Sequence, residues 1–147
     1  MSSQHEIEQI LNRYAIADNH RESDYFAAIR QLVAGRGRAA AGAERAAWQG
    51  AIDRVYTLVR GEILTNSDRP RKAIAFGTSG WRGTLGKDLF VRSVATVTAA
   101  ILSLYREAEG NPELRAALGV ASFKEMCARG CVVGFDNRFG GPLLALA

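Results

Sequence analysis

The chain has 147 residues, of which 48% are hydrophobic and 23% charged, values typical of a globular protein with a core of its own. No apolar run approaches the roughly 20 residues that a membrane span needs, and the polar start, Met1 to Glu6, shows no secretory signal. Two cysteines exclude a disulfide framework, so we expect a reduced, cytoplasmic protein with no membrane partner.

The positive charge is concentrated in the second half. The net charge is +4; residues 1–70 carry nine basic and nine acidic side chains, whereas residues 71–147 carry ten and six. This surplus indicates an anionic ligand or has no meaning beyond chance. Nucleic acid is not expected, because no basic run exceeds two residues and aromatic and basic residues do not alternate.

Residues 1–70 read as an all-helical N-terminal extension. Apolar spacing predicts one helix after a Ser3–Glu6 capping box, a second from Ser23 to Gly35, and a third over 43–64. Residues 35–38 read as a loop, and 66–70 as a turn-rich linker. The inward face of the third helix is predicted to comprise Trp48, Ala51, Ile52, Val55, Leu58, Val59 and Ile63.

No catalytic constellation is apparent in this extension. His5 and His20 have no metal-ligand spacing and are predicted to be surface residues. The helices are amphipathic, so they require a partner surface: each other, the second half, or another subunit. A structural or interaction role is therefore the expectation.

The second half contains a glycine loop over residues 77–86, with Gly77, Gly80, Gly83 and Gly86 at every third position. Glycines allow positive φ and close approach to a ligand, and such turns leave N–H groups free to contact an anion. The loop also carries Thr78, Ser79 and Arg82, whose guanidinium suits phosphate.

An α/β order follows from the flanking residues. Strands are predicted over 74–76 and 131–135, the second buried on both faces, with Asp88 capping a buried helix between them. Further short helices are predicted over 113–118 and 122–128, and a second polar loop over 136–142. Ligands bind beyond strand ends in such folds, so Arg82 and Arg138 could meet at one phosphate.

Other phosphate and metal motifs do not fit. In a Walker A loop Trp81 would have to be glycine and Asp88 serine or threonine. The three-residue glycine spacing excludes the dinucleotide fingerprint. Cys127 and Cys131 have no second pair, so they are predicted to be buried small hydrophobic residues. Asp136 is either a base or metal ligand, or a carboxylate that caps the loop or pairs with Arg138.

Two segments resemble one enzyme family. Phe76–Gly83, F-G-T-S-G-W-R-G, resembles the N-terminal signature of the α-D-phosphohexomutases, the phosphoglucomutases and phosphomannomutases. Val132–Gly141, V-V-G-F-D-N-R-F-G-G, resembles that family's later segment, in which a valine-rich strand precedes Gly-x-Asp-x-Arg. The order is that of the family, and the resemblance covers about residues 72–147.

The resemblance implies an isomerase that moves a phosphoryl group between the 1- and 6-hydroxyls of a hexose through a phosphoserine. It implies Mg²⁺ and a hexose 1,6-bisphosphate activator for the whole enzyme, and a phosphorylated hexose as its partner. The residues that it assigns to phosphate or substrate are Arg82, Thr78, Ser79, Gly80 and Arg138, with Asp136 and Lys87 less directly placed.

The chain departs from the family where the chemistry would occur. It has no Ser-His-Asn-Pro loop for the catalytic serine and no Asp-x-Asp-x-Asp loop for magnesium. No catalytic residue or metal site is therefore assigned here. We expect an incomplete α/β/α domain with a small mixed sheet, residues 71–147, behind the helical extension, inactive alone and prone to self-association through its helices or an exposed edge. The alternatives are a non-catalytic helical assembly module and a stand-alone phosphate-binding domain.

Overall fold

The computed structural model describes residues 2–147, which are mostly helical with one small antiparallel sheet. The helices are α1 (Ser3–Tyr14), α2 (Tyr25–Arg38), α3 (Ala43–Thr65), α4 (Val91–Glu107), α5 (Pro112–Leu118), α6 (Phe123–Arg129) and α7 (Gly141–Ala145). A 3₁₀ turn, Ala108–Gly110, links α4 to α5. The strands are β1 (Phe76–Gly77) and β2 (Gly80–Trp81). Within residues 2–147, every helix is too short or too polar to cross a membrane.

Helices α1, α2 and α3 form a bundle that contains the core, so their apolar faces pack on one another. The predicted face of α3 is confirmed except at Leu58, which is 38% exposed because it lies beside the buried stripe. The core residues are Ile7, Tyr25, Ala28, Ile29, Leu32, Ala39, Trp48, Ala51, Ile52, Val55, Val59 and Ile63.

The crossing of α2 and α3 corrects the predicted loop at residues 35–38. Helix α2 continues to Arg38, and the Ala39 N–H donates to the Gly35 carbonyl. Gly35 is buried, and a Cβ there would lie 2.3 Å from Cζ3 of Trp48. The glycine thus makes room for an indole instead of ending the helix.

The caps of the first two helices fall one residue away from the predicted positions. The Ser2 side chain accepts from the His5 N–H, and the Asp24 carboxylate accepts from the Ala27 N–H at 2.9 Å. Ser23 is buried, and its hydroxyl donates to the Asn19 carbonyl. The predicted starts of α5 and α6 are confirmed, with Pro112 in the first turn of one and Ser122 capping the other.

The predicted strands are largely wrong. Strand β1 comprises only Phe76–Gly77 and pairs with β2 in a hairpin whose tip is Thr78 and Ser79. Residues 131–135 form no strand, and Val132 and Phe135 are 97% and 62% exposed. A strand needs a hydrogen-bonded neighbour, and no other strand of the described chain lies beside this segment.

Helix α4 is not covered as its apolar pattern predicts. Ser93 is its one buried residue, whereas Ile101 and Leu104 are 46% and 44% exposed. Cys127 and Cys131 are free and exposed, which corrects their predicted burial. The second half therefore exposes many of its large apolar side chains.

Candidate functional site

The C-terminal part of α3 supports both polar loops. Gly86 has φ +77°, and a Cβ there would lie 2.8 Å from the Cβ of Glu62. The Asn66 side-chain amide donates to the Gly86 carbonyl at 2.7 Å. In the second loop, a Cβ on Gly140 would lie 3.1 Å from Cδ1 of Ile63. Helix α3 thus fixes the positions of both loops.

Asp88 closes the glycine loop on itself. It is 1% exposed, and its two carboxylate oxygens accept from the Lys72 N–H at 2.9 Å and the Thr84 N–H at 2.8 Å. The predicted role of Asp88 as the cap of α4 is therefore wrong. Phe90 precedes the helix instead, and its N–H donates to the Ser93 hydroxyl.

An open groove of about 810 Å³ lies between the two loops. The first loop contributes Trp81 and Gly83, and the second contributes Asp136 and Arg138, so the two predicted motifs do meet. The remaining lining is mostly apolar and comprises Leu85, Leu89, Val133, Gly134, Phe135, Phe139, Gly141, Leu144 and Ala145.

The other residues predicted in the first loop, Thr78, Ser79, Gly80 and Arg82, do not line the groove. Thr78 and Ser79 are exposed at the hairpin tip, and Gly80 follows with φ +88°. Arg82 is exposed and forms no ion pair within residues 2–147.

A free backbone donor lies next to the Arg82 guanidinium. Among the described residues, no acceptor is bound to the N–H group of Gly83. By contrast, the N–H groups of Thr84, Gly86 and Asp88 are used inside the loop. Within the described loop, the prediction of free donors thus holds at Gly83 and fails further along.

Arg138 is paired with Asp136, one of the alternatives that the sequence leaves open for that carboxylate. The Arg138 Nε donates to both Asp136 oxygens at 3.0 and 2.9 Å, and a terminal nitrogen lies 2.7 Å from Oδ2. Hydrogen bonds from Arg138 hold the pKa of Asp136 below its usual range. The Asp136 carboxylate therefore stays charged, and it occupies some of the hydrogen-bond donors of the Arg138 guanidinium.

Asp136→Asn is expected to strengthen the binding of inorganic phosphate at this groove about threefold to tenfold, because removing the carboxylate frees the Arg138 fork for the ligand. Isothermal calorimetry at low ionic strength measures the change. Glu113→Gln, the same loss of one charge on α5, is the control and should leave the affinity unchanged. Weaker binding by Asp136→Asn would show that the carboxylate positions Arg138 for the ligand.

Lys87 is not brought to this groove. It is 8% exposed, on the opposite side of the loop, where it faces the helical bundle and lies over the Tyr25 ring. Its neighbours there include Glu62 and His20, whose Oε1 and Nδ1 atoms lie 3.1 Å apart. No local sequence pattern predicts this cluster, because His20 and Glu62 are 42 positions apart in the chain.

The described residues do not form a magnesium site. Within residues 2–147, no three carboxylate, histidine or cysteine side chains lie close enough to share a metal ion. Mg²⁺ requires several converging oxygen ligands, and the one carboxylate in the groove is paired with arginine.

No family model, curated protein or solved structure matches this chain.

Proposed function

We propose that this chain is the N-terminal part of an α-D-phosphohexomutase and forms one wall of its phosphosugar site. The parent enzyme would interconvert hexose 1-phosphate and hexose 6-phosphate in the cytoplasm. The observation that supports this best is the shared groove, in which the Phe76–Gly83 segment and the Val132–Gly141 segment face each other.

The composition of the groove suits a phosphorylated sugar. Arg82 lies between the lining residues Trp81 and Gly83 without lining the groove itself, and its guanidinium forms no ion pair within residues 2–147. The adjacent Gly83 N–H supplies one further donor. Arg138 adds a second guanidinium, partly engaged by Asp136. The Trp81 ring and neighbouring apolar side chains offer the flat surface on which sugar rings pack.

In phosphoryl transfer, such groups bind and orient the phosphate and offset the charge on the transferring group. That is the role we propose for Arg82 and Arg138, with Thr78, Ser79 and Gly80 shaping the first loop. The catalytic serine, Mg²⁺ and the bisphosphate activator would belong to other parts of the parent enzyme. The incomplete α/β/α domain is part of the same proposal, since it explains why the 131–135 segment and α4 expose apolar side chains.

Arg82→Ala is expected to weaken the binding of glucose 1-phosphate about tenfold or more, because a hydrogen bond to a charged group contributes about 1.5–3 kcal/mol. Calorimetry at low salt is the measurement, since screening would mask an exposed site. Arg30→Ala is the matched control: Arg30 is an exposed arginine on α2, far along the chain from either loop.

Two results would contradict the proposal. One is an equal loss of affinity for Arg82→Ala and Arg30→Ala, which would show that the change depends on the net charge of the protein and not on a contact made by Arg82. The other is no binding of glucose 1-phosphate by the unmodified chain at millimolar concentration. The coding sequence offers an independent check, because the proposal requires it to continue in frame to a Ser-His-Asn-Pro loop.

A further inference from the structure

Lys87 is a buried amine without a hydrogen-bond acceptor. Its side chain is 8% exposed, and within residues 2–147 its Nζ has no acceptor in reach. Nζ lies 5.1 Å from the centroid of the Tyr25 ring. A ring face attracts an ammonium but supplies no lone pair for its three N–H bonds. Burial without an acceptor therefore makes the charged form less favourable than it is in water.

The charges around Lys87 act in both directions. Burial lowers its pKa most, Glu62 raises it, Arg71 lowers it, and Glu22 and Asp24 raise it, with the net direction downward. Desolvation makes more of a lysine amine unprotonated and therefore nucleophilic.

A proton-transfer network stands beside this amine. Nδ1 of His20 contacts both the Tyr25 hydroxyl and Oε1 of Glu62, the latter at 3.1 Å. Unprotonated, Nδ1 accepts from the tyrosine; protonated, it donates to the carboxylate. The His20 side chain is 49% exposed, so the network reaches solvent, while Glu62 is held by the Asn66 amide at 3.1 Å.

Two clefts, of about 360 and 420 Å³, have Lys87 in their walls. The first lies between the 18–21 loop and the 65–71 segment and includes His20 and Glu62. Its wall also carries the cations Arg21, Arg69 and Arg71. The Lys87 side chain, whose Nζ is covered, thus lies in the wall of one small cleft together with a proton-transfer network and guanidinium groups, separate from the groove between the loops.

We propose that Lys87 forms an imine with a small carbonyl compound that carries a carboxylate, with the arginines holding the carboxylate and His20 moving the proton. The neutral amine of Lys87 attacks the carbonyl carbon, the C=O π bond opens, and the oxygen takes a proton from the His20 relay while the nitrogen returns one to it. The hydroxyl of this carbinolamine takes a second proton from the relay and leaves as water as the C=N bond forms, and the nitrogen returns its last proton to the relay. No oxidant or reductant takes part.

Reductive trapping with glyoxylate and cyanoborohydride at pH 7 tests the site, since hydride converts the imine to a stable secondary amine. The chain has three lysines, so Lys72 and Lys124, both exposed, are internal standards. Peptide mass spectrometry should show Lys87 modified about tenfold faster than either, because a positioned acid–base group assists imine formation at Lys87 alone. A purely structural Lys87 would instead be the slowest of the three, because its amine is covered.

The roles of the neighbours are tested in the same assay. His20→Asn should slow the trapping at Lys87 about tenfold or more, as loss of a general acid–base group does, and leave Lys72 and Lys124 unchanged. Glycolaldehyde, which lacks the carboxylate, should react more slowly than glyoxylate at Lys87 alone. The proposal is overturned if Lys87 reacts no faster than the other two lysines. It is also overturned if neither the His20→Asn substitution nor the change to glycolaldehyde alters the rate at Lys87, provided that thermal unfolding of the variant is unaltered. The site is independent of phosphosugar binding, so either proposal can fail alone.

Discussion

Replacing Gly35 by alanine is expected to lower the free energy of unfolding by about 2–3 kcal/mol, the cost of overpacking a filled core. The new Cβ would lie 2.3, 2.4 and 2.7 Å from three ring carbons of Trp48. Trp48 is 2% exposed and surrounded by core side chains, so the ring cannot move aside without displacing them. The clash outweighs the gain of about 1 kcal/mol that alanine brings to a helix interior.

Gly37→Ala, two residues further along α2, is the matched control. Nothing lies within 4 Å of a Cβ at that position, so alanine should raise the free energy of unfolding by about 0.5–1 kcal/mol. Urea denaturation followed by tryptophan fluorescence gives both values. If the two variants changed stability in the same direction, the close approach of α2 to Trp48 would be wrong.

The helical bundle could be predicted from the sequence because its pattern is local and its partners are nearby in the chain. The apolar stripe of α3 recurs at helical spacing, and α1 and α2 supply matching stripes within the preceding 40 residues. The error at Gly35 has a physical cause: glycine ends helices, and it also admits large side chains at crossings. Only the position of Trp48 in space distinguishes the two uses.

The second half was harder to predict because its apolar segments need partners at a distance. Val132 and Val133 have the composition of a buried strand, yet neither pairs with another strand of the described chain. The sequence pattern shows that these residues favour an extended backbone, but a sheet also requires a neighbouring strand with which to pair. Self-association through this exposed surface remains a prediction, which light scattering over a range of concentrations can measure.

The candidate groove was predicted in part. The glycine spacing and the Asp136–Arg138 pair located the two loops, and the structure brings them together. The resemblance also assigns Lys87 to this site, less directly than the other residues. The turn at Gly86 directs the Lys87 side chain away from the groove. Lys87 therefore adjoins the loop in the sequence but lies outside the groove in the structure. The His20–Glu62 contact has no sequence signal at all.

Replacing Asp88 by alanine is expected to destabilise the closed glycine loop by about 2–4 kcal/mol, since it removes two hydrogen bonds to a charged acceptor and leaves two N–H groups unsatisfied. The carboxylate is 1% exposed and joins Lys72, before the hairpin, to Thr84, after it. Asp88→Asn keeps one acceptor and should lose about half as much.

Amide hydrogen exchange at residues 86 and 88 reports this opening, because their N–H groups are bonded inside the loop, to Leu89 and Thr84. Both should exchange faster in Asp88→Ala, whereas amides of the α3 core should change less. Asp53→Ala, an exposed aspartate on α3, should stay within about 0.5 kcal/mol of the parent. If loop exchange were unchanged in Asp88→Ala, the loop would be held by its glycine turns and its seat on α3. If exchange rose and glucose 1-phosphate binding fell with it, the closed loop would be the form that presents Arg82 to the ligand.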